Sequence, residues 1–384
     1  MPTYFCIVAV VVGFLTTSLN TACEGADPGK PGPYSVGVRT EVFVDEKREC
    51  AITGKPRTLV TEIWYPVAEQ SDEQPLNKFS DFWGRPEGIA AGRLVIGRFG
   101  GDFDKVETTF KNVARRNARI RDGAFPLLVF SHGNGGFRHQ NTFQAEYLAS
   151  HGYIVAAADH TGNAAVTVLP DQIVPYTSDT RQNERSDDRP HDVSFLISRL
   201  SQLNHSEDHW LHGHVADGQC GAFGHSFGGF TVCRAAELDS RIKAILPMTL
   251  TDAVRDDDEG NACKIPLLLV LGDTDRTVGD AGNARSMAYF EQAARPKYLL
   301  NFKKAGHYTF TEMPQINPQW GDGVGVEKGK EGQPDFQFSD AVEDQRITNE
   351  YSAAFFDTFL KNSATAKAFL DRGLDSDELD YQRE

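Results

Sequence analysis

Cysteine is scarce in this chain, six in 384 residues, and none is spaced as C-x-x-C or set among histidines at zinc-ligand intervals, so no metal is expected. Basic residues are also outnumbered. Thirty-nine lysines and arginines against 54 aspartates and glutamates leave a net charge of −15, which phosphate backbones would repel, so nucleic acid is argued against as a partner. No apolar run reaches the roughly 20 residues that a helix needs to cross a bilayer. There is no internal repeat. What remains, 40% hydrophobic and 24% charged, describes an ordinary globular protein with ample material for a core.

The first 22 residues carry an apolar stretch, Phe5 to Leu15, followed by small and polar residues to Ala22, as in a cleaved signal peptide, although no Lys or Arg precedes the stretch. Export to the periplasm or the exterior is therefore expected. Leu19-Asn20-Thr21-Ala22-Cys23 also resembles a bacterial lipoprotein cleavage site, and membrane anchoring would follow only if Cys23 were lipidated. Residues 23–33 read as a Gly/Pro-rich linker without fixed structure. Cys50, Cys220, Cys233 and Cys263 allow three fully paired disulfide arrangements, which sequence cannot separate; Cys220 and Cys233, inside apolar stretches, equally read as small buried residues.

Hydrophobic patterning then predicts an alternating sheet and helix order. Tyr34 to Thr40 and Thr58 to Val67 read as an antiparallel pair turning near Thr53-Gly54-Lys55-Pro56, and Ser71 to Asp122 as a mixed helical insertion beside a site. Phe125 to Phe130, Tyr153 to Ala158, Ile242 to Met248, Ile265 to Leu271 and Tyr298 to Phe302 are short continuous apolar runs, as in parallel strands buried on both faces. Helical periods at 141–150, 192–203, 280–294 and 348–361 separate or follow them. The stretches 161–189 and 308–345 lack periodicity and are too long for plain connections, so both are expected to be loops over the site. An acidic tail, 363–384, closes the chain.

One turn organises the rest. Cys220-Gly221-Ala222-Phe223 leads into Gly224-His225-Ser226-Phe227-Gly228, and an amphipathic stretch to Leu238 leads out: strand, sharp turn, helix. Glycines two positions either side of the serine admit a strained backbone that lifts the hydroxyl out of the sheet. Alone, G-x-S-x-G is a weak pattern; its strand and helix context strengthens it. The glycine-rich Ser131-His132-Gly133-Asn134-Gly135-Gly136, after a central strand, is expected to supply one oxyanion donor, the Asn134 amide, and the residue after the serine the other, the Phe227 amide.

A serine hydroxyl attacks nothing at neutral pH without a base, and the base needs a group that fixes its tautomer. Ser226, Asp275 and His307 occur in that order, the last two on loops leaving strands, with Asp252 and Asp273 as alternative acids. Three residues so distant in sequence must meet, so 34–362 is expected to be one catalytic domain. His225, His132 and His160 are expected to pack or hydrogen-bond rather than act as bases, and Phe137, His225, Tyr176 and Trp320 to face the substrate.

Five stretches together carry a resemblance: Ile63-Trp64-Tyr65-Pro66, Phe130-Ser131-His132-Gly133, Leu148 to Ala156, Asp188 to Leu196, and Gly224-His225-Ser226-Phe227-Gly228-Gly229. The chain is similar over most of Val36 to Lys361 to the platelet-activating-factor acetylhydrolase and bacterial predicted dienelactone hydrolase group. That resemblance implies an α/β-hydrolase fold, a mostly parallel central sheet with helices on both faces and inserted loops near the site. It also implies cofactor-free hydrolysis of carboxylic esters with short or accessible acyl groups. Two departures qualify it. In the animal enzymes the acid follows the strand after the elbow helix, where this chain has Leu246-Pro247-Met248, so the bacterial placement at Asp275 is carried over. Dienelactone hydrolases proper use a cysteine nucleophile, whereas position 226 is serine. The readings kept beside a simple esterase are a phospholipid acyl hydrolase, a polyester hydrolase and, with a different function altogether, a non-catalytic binding scaffold.

Overall fold

The protein, seen in a computed structural model, is described at residue 1 and at residues 26–68, 74–181, 187–250, 263–329, 333–374 and 376–384. The signal-peptide reading, Cys23 and Asp252 lie outside the described residues.

The chain opens with an antiparallel hairpin, β1 (Val36–Cys50) and β2 (Lys55–Pro66), longer than the sequence suggests because β1 continues past Thr40 as an alternating strand with Phe43 buried and Val42 and Val44 exposed. The insertion that follows folds as α1 (Pro86–Arg98), α2 (Phe103–Thr109) and a two-residue strand β3 (Arg115–Arg116). The α/β alternation is then β4 (Phe125–Ser131), α3 (Thr142–Ser150), β5 (Ile154–Ala158), a ribbon of β6 (Val166–Val168) and β7 (Ile173–Pro175), α4 (Asp188–Asn204), β8 (Val215–His225), α5 (Phe227–Leu238), β9 (Ile242–Met248), β10 (Leu267–Gly272), α6 (Gly279–Gln292) and β11 (Lys297–Phe302). A short helix α7 (Met313–Ile316), a second ribbon of β12 (Val326–Glu327) and β13 (Phe336–Gln337), α8 (Ala341–Leu360), α9 (Ala364–Arg372) and β14 (Leu379–Arg383) complete it.

Ten strands form one sheet in the order β14-β11-β10-β9-β8-β4-β5-β2-β1-β3. From β11 across to β5 all neighbours are parallel, and β14 and β2 flank that block antiparallel. Every residue of β4, β5 and β10 is buried, the physical reason these strands read as unbroken apolar runs. Alternate side chains enter two cores: Leu128 and Phe130 pack with α3 and α8, while Leu127 and Val129 pack with α4 and α5. Parallel strands point their C-terminal ends the same way, so the loops after β4, β8, β10 and β11 gather at one rim.

Three readings need correction. Residues 363–384 are not a plain acidic tail: Ser363 caps α9 through its hydroxyl, and β14 pairs antiparallel with β11 as the sheet's edge. Of the linker, residues 26–33 are pinned, Tyr147 Oη donating to the carbonyls of Pro28 and Lys30, and the Gly32 amide to Ser150 Oγ. The stretch 308–345, expected as a loop over the site, also contributes to the core, since Phe310, Met313, Ile316, Val324 and Phe338 are buried between its turns. Cys50, Cys220, Cys233 and Cys263 are all unpaired thiols and buried, and burial pushes the Cys220 thiol up to about 12. Among the described residues no helix is long and apolar enough to cross a membrane, and no cluster of three His, Cys, Asp or Glu side chains could hold a metal.

Candidate active site

β8 ends at His225 and α5 begins at Phe227, so Ser226 alone makes the turn, with φ 58° and ψ −121°. A non-glycine residue in such a region stores of order 1–3 kcal/mol of strain that the surroundings must hold. They hold it closely. The Ser226 amide donates to the Met248 carbonyl at 2.8 Å, and the glycines leave no room for a side chain: a Cβ on Gly224 would lie 2.3 Å from the Gly228 carbonyl oxygen, and one on Gly228 would lie 1.8 Å from that of Ser131. Both glycines are thus needed for close approach of backbone to backbone.

Facing this elbow, the loop after β4 is threaded by its own hydrogen bonds. The Gly133 amide donates to Gln140 Oε1 (2.9 Å), Gly135 to the Asn163 carbonyl (3.0 Å) and Gly136 to the Gly133 carbonyl (3.0 Å). Among the described residues the Asn134 amide, between them, has no acceptor bonded to it. The Asn134 side chain is fixed by Asn163 Nδ2, at 3.0 Å from its Oδ1, and it donates to Tyr176 Oη at 3.1 Å.

His307 follows β11 and is held at three points. Its Nδ1 lies 2.8 Å from Asp275 Oδ2, its amide donates to Asp322 Oδ1 at 3.1 Å, and its carbonyl lies 2.8 Å from His225 Nε2. Asp275 is itself oriented, its Oδ1 accepting the amides of Thr277 and Val278 at 2.9 Å each at the start of α6. Ser226 and His307 line one open pocket with an enclosed volume of about 60 Å³, with Phe99, Phe137, Met313 and Ile316 as its apolar wall and Gln140, Thr311 and Glu312 among its polar lining.

Sequence reasoning placed Ser226, His307, Asn134, Phe137 and His225 among the site residues, and all five line this pocket. Asp275 lies behind His307, whereas the alternative Asp273 is exposed and accepts from Thr274 Oγ1 and the Lys304 amide. Tyr176 reaches the site through Asn134. Trp320 is one layer back, edge-on to Phe99 and Tyr308 at 5.6 and 5.8 Å, rather than in the pocket wall. The Phe227 side chain is turned into the core, its ring parallel to Phe230 and beneath the Arg189 guanidinium, and does not line the pocket.

A model of the family "Platelet-activating factor acetylhydrolase, isoform II" matches residues 24–188. The platelet-activating factor acetylhydrolase of Cavia porcellus is 23% identical over 319 residues, covering 74% of this chain and 69% of that one. That of Canis lupus familiaris is 28% identical over 249 residues, 56% of this chain and 53% of its own, so the chain spans about half of its length. A solved structure, the ferulic acid esterase from Streptomyces cinnamoneus, superposes over 91% of this chain and 97% of its own with a TM-score of 0.68 at 22% identity, a likeness of fold. With the sheet order above, these matches decide the class. The chain has the α/β-hydrolase fold. Its kinship to the acetylhydrolases and esterases is distant.

Several residues that hold these loops escaped sequence reasoning. Asp322 joins two of them: besides the His307 amide, its carboxylate accepts the Arg276 amide and Thr277 Oγ1, and its carbonyl accepts the Tyr308 amide. The only sequence hint was its Gly-Asp-Gly setting at 321–323. Beneath the loop after β4, Arg189 donates to Asn163 Oδ1 (2.7 Å), Ser131 Oγ (2.8 Å) and the His132 carbonyl. One helical turn on, Asp192 accepts Arg57 through both oxygens at 2.6 Å, Arg48 at 2.8 Å and His160 Nδ1 at 2.9 Å. Burial opposes the Asp192 charge, but the Arg57 guanidinium outweighs it and holds the carboxyl well below its ordinary range. His160 is driven down to about 3 by burial and by Arg189, so it is neutral. His132 is depressed for the same two reasons, and its Nε2 accepts the His160 amide. Both therefore act as hydrogen-bonding groups. Glu312, in the pocket wall, is pushed up to about 7 by burial despite bonds from Gln315 and the Phe143 amide.

Proposed function

We propose that the protein is an exported serine hydrolase that cleaves carboxylic esters through an acyl-enzyme intermediate. Ser226 Oγ attacks the ester carbonyl, and His307 Nε2 takes the hydroxyl proton. Asp275 holds Nδ1–H toward itself, so that Nε2 is the basic nitrogen, and stabilises the imidazolium once it forms. The amides of Asn134 and Phe227 receive the oxyanion, helped by the positive end of α5. Collapse expels the alcohol with the proton returned from His307, and water activated by the same imidazole releases the acid. The reading takes no metal or cofactor.

The observation that carries this reading is a strained serine at a strand-to-helix turn sharing one pocket with an imidazole whose other nitrogen is 2.8 Å from a buried carboxylate. A binding scaffold would have no use for that strain. The apolar wall of Phe99, Phe137, Met313 and Ile316, around an enclosed space of only about 60 Å³, favours a compact acyl group. Kinship to enzymes named platelet-activating factor acetylhydrolase agrees with an acetyl-sized group, and longer phospholipid acyl groups are kept as the second reading. A series of p-nitrophenyl esters from acetyl to dodecanoyl separates them. The compact-acyl reading expects kcat/KM to peak at the short end; a long-chain optimum supports a lipid or polyester substrate instead, and no turnover of any member overturns the hydrolase reading. Export rests on residues 1–22 alone, and the N-terminal sequence of protein recovered outside the cytoplasm tests it.

A further inference from the structure

The hydrogen bonds around His225 can be oriented without ambiguity. Gln140 Oε1 lies 2.9 Å from the Gly133 amide, which only donates, so the side-chain amide presents its oxygen there and its NH₂ elsewhere. That NH₂ lies 2.9 Å from His225 Nδ1, which must accept. His225 is held neutral by burial first and by His307 beside it, so its single proton is on Nε2, and Nε2–H donates to the His307 carbonyl at 2.8 Å. Each link fixes the direction of the next. The Gln140 backbone is fixed too, its carbonyl accepting the Glu312 amide at 2.9 Å and its amide donating to the Phe137 carbonyl at 2.9 Å. There is no slack around the chain: a Cβ on Gly133 would lie 3.1 Å from His225 Nδ1, and one on Gly136 would lie 2.2 Å from Gln140 Oε1.

We propose that Gln140 and His225 form a buried tether that sets the distance between the oxyanion loop, the Ser226 elbow and the His307 loop, and so act as positioning residues for ester hydrolysis. The chain runs from the amide next to Asn134, through the residue next to Ser226, to the backbone of His307 itself. These three loops leave β4, β8 and β11; the ladder pairs Ser131 with Gly224, but it stops short of Asn134 and, on β11, at Phe302, five residues before His307. Asp275 sets the rotation of the His307 ring; the tether holds that residue's backbone at its carbonyl, as Asp322 holds it at its amide. This assigns His225 a role in spacing the machinery rather than in contacting substrate. The inference rests on the hydrolase reading above.

A double-mutant cycle tests it. Gln140→Met and His225→Phe keep approximate shape and remove the links, and Gln140→Leu or His225→Leu stands in for a variant that does not fold. Misplacement of reacting groups by fractions of an ångström to one ångström is expected to lower kcat roughly 10- to 100-fold. KM for a short p-nitrophenyl ester should move less than about threefold, since both side chains line the pocket but the tether takes up their polar atoms, leaving none to bind substrate. Because either change cuts the same chain, the double variant should lose no more than the worse single. Losses that multiply, a rise in KM that accounts for the change in kcat/KM, or kcat equal to wild type would each overturn the tether. Failure of the hydrolase reading looks different, since the wild type itself would then neither turn over nor react with a fluorophosphonate.

Discussion

His307 Nδ1 lies 2.8 Å from Asp275 Oδ2, and the opposite carboxylate oxygen of Asp275 is pinned by two amides of the α6 entry. The pair leaves the imidazole one tautomer in which Nε2 is free to take a proton. Asp275→Asn keeps the size of the side chain but can present an NH₂ to Nδ1, which then accepts and leaves the proton on the wrong nitrogen. We expect kcat to fall about 10⁴-fold with KM changed little. Steady-state kinetics on a short p-nitrophenyl ester check it; a loss under tenfold would remove Asp275 from the mechanism.

The elbow should tolerate no methyl group. In Gly228→Ala the new Cβ meets the Ser131 carbonyl oxygen at 1.8 Å, and that atom belongs to backbone that cannot rotate away. Stability should fall by at least the roughly 1–3 kcal/mol of an overpacked core. Urea unfolding of the variant and wild type measures this, and equal midpoints would contradict the close packing described.

Cutting the ion network under the loop after β4 should cost more than cutting a surface pair. Asp192→Ala strands Arg57, which is 2% exposed, without its bidentate partner, and removes the acceptor of His160. An unpaired buried charge is worth about 3–5 kcal/mol of lost stability. The same unfolding assay reads it, and a change below 1 kcal/mol would mean that Arg57 finds another partner.

What was legible in the sequence follows from where the information sits. The parallel strands β4, β9, β10 and β11 announce themselves within two residues, because apart from Lys243 in β9 and Lys297 and Asn301 in β11 they are almost entirely apolar. α8 starts at Ala341, well before the period at Thr348, because its first turns expose Val342, Glu343 and Arg346 and are set by the Asp340 cap, which accepts the amides of Val342 and Glu343. β14 carries no strand signal of its own and exists by pairing with β11. At the site, Ser226 and His307 stood out through their turn and their order along the chain. Gln140 and Asp322 did not, since a side chain that bonds backbone on a loop distant in sequence leaves no local pattern.

Glu146 gives a pH-dependent stability whose sign can be worked out. Burial pushes its carboxyl up to about 8 from an ordinary value of 4.5, so between those values the folded state holds a proton that the unfolded state has lost. Its stabilising contribution is complete below about 4.5 and is lost as pH rises toward 8, by up to about 1.4 kcal/mol per pH unit. Glu146→Gln keeps an acceptor for the Val113 and Ala114 amides and does not titrate. The stability difference should therefore move in the variant's favour from pH 5 to pH 8. A difference that stays constant across urea unfolding curves at both pH values would contradict it.

The most direct test of the central claim is covalent. Wild-type protein treated with a fluorophosphonate should gain the mass of one phosphonyl group, mapped by peptide mass spectrometry to Ser226, and Ser226→Ala should gain none. A label on another residue, or an unlabelled wild type that still hydrolyses esters, would contradict the account.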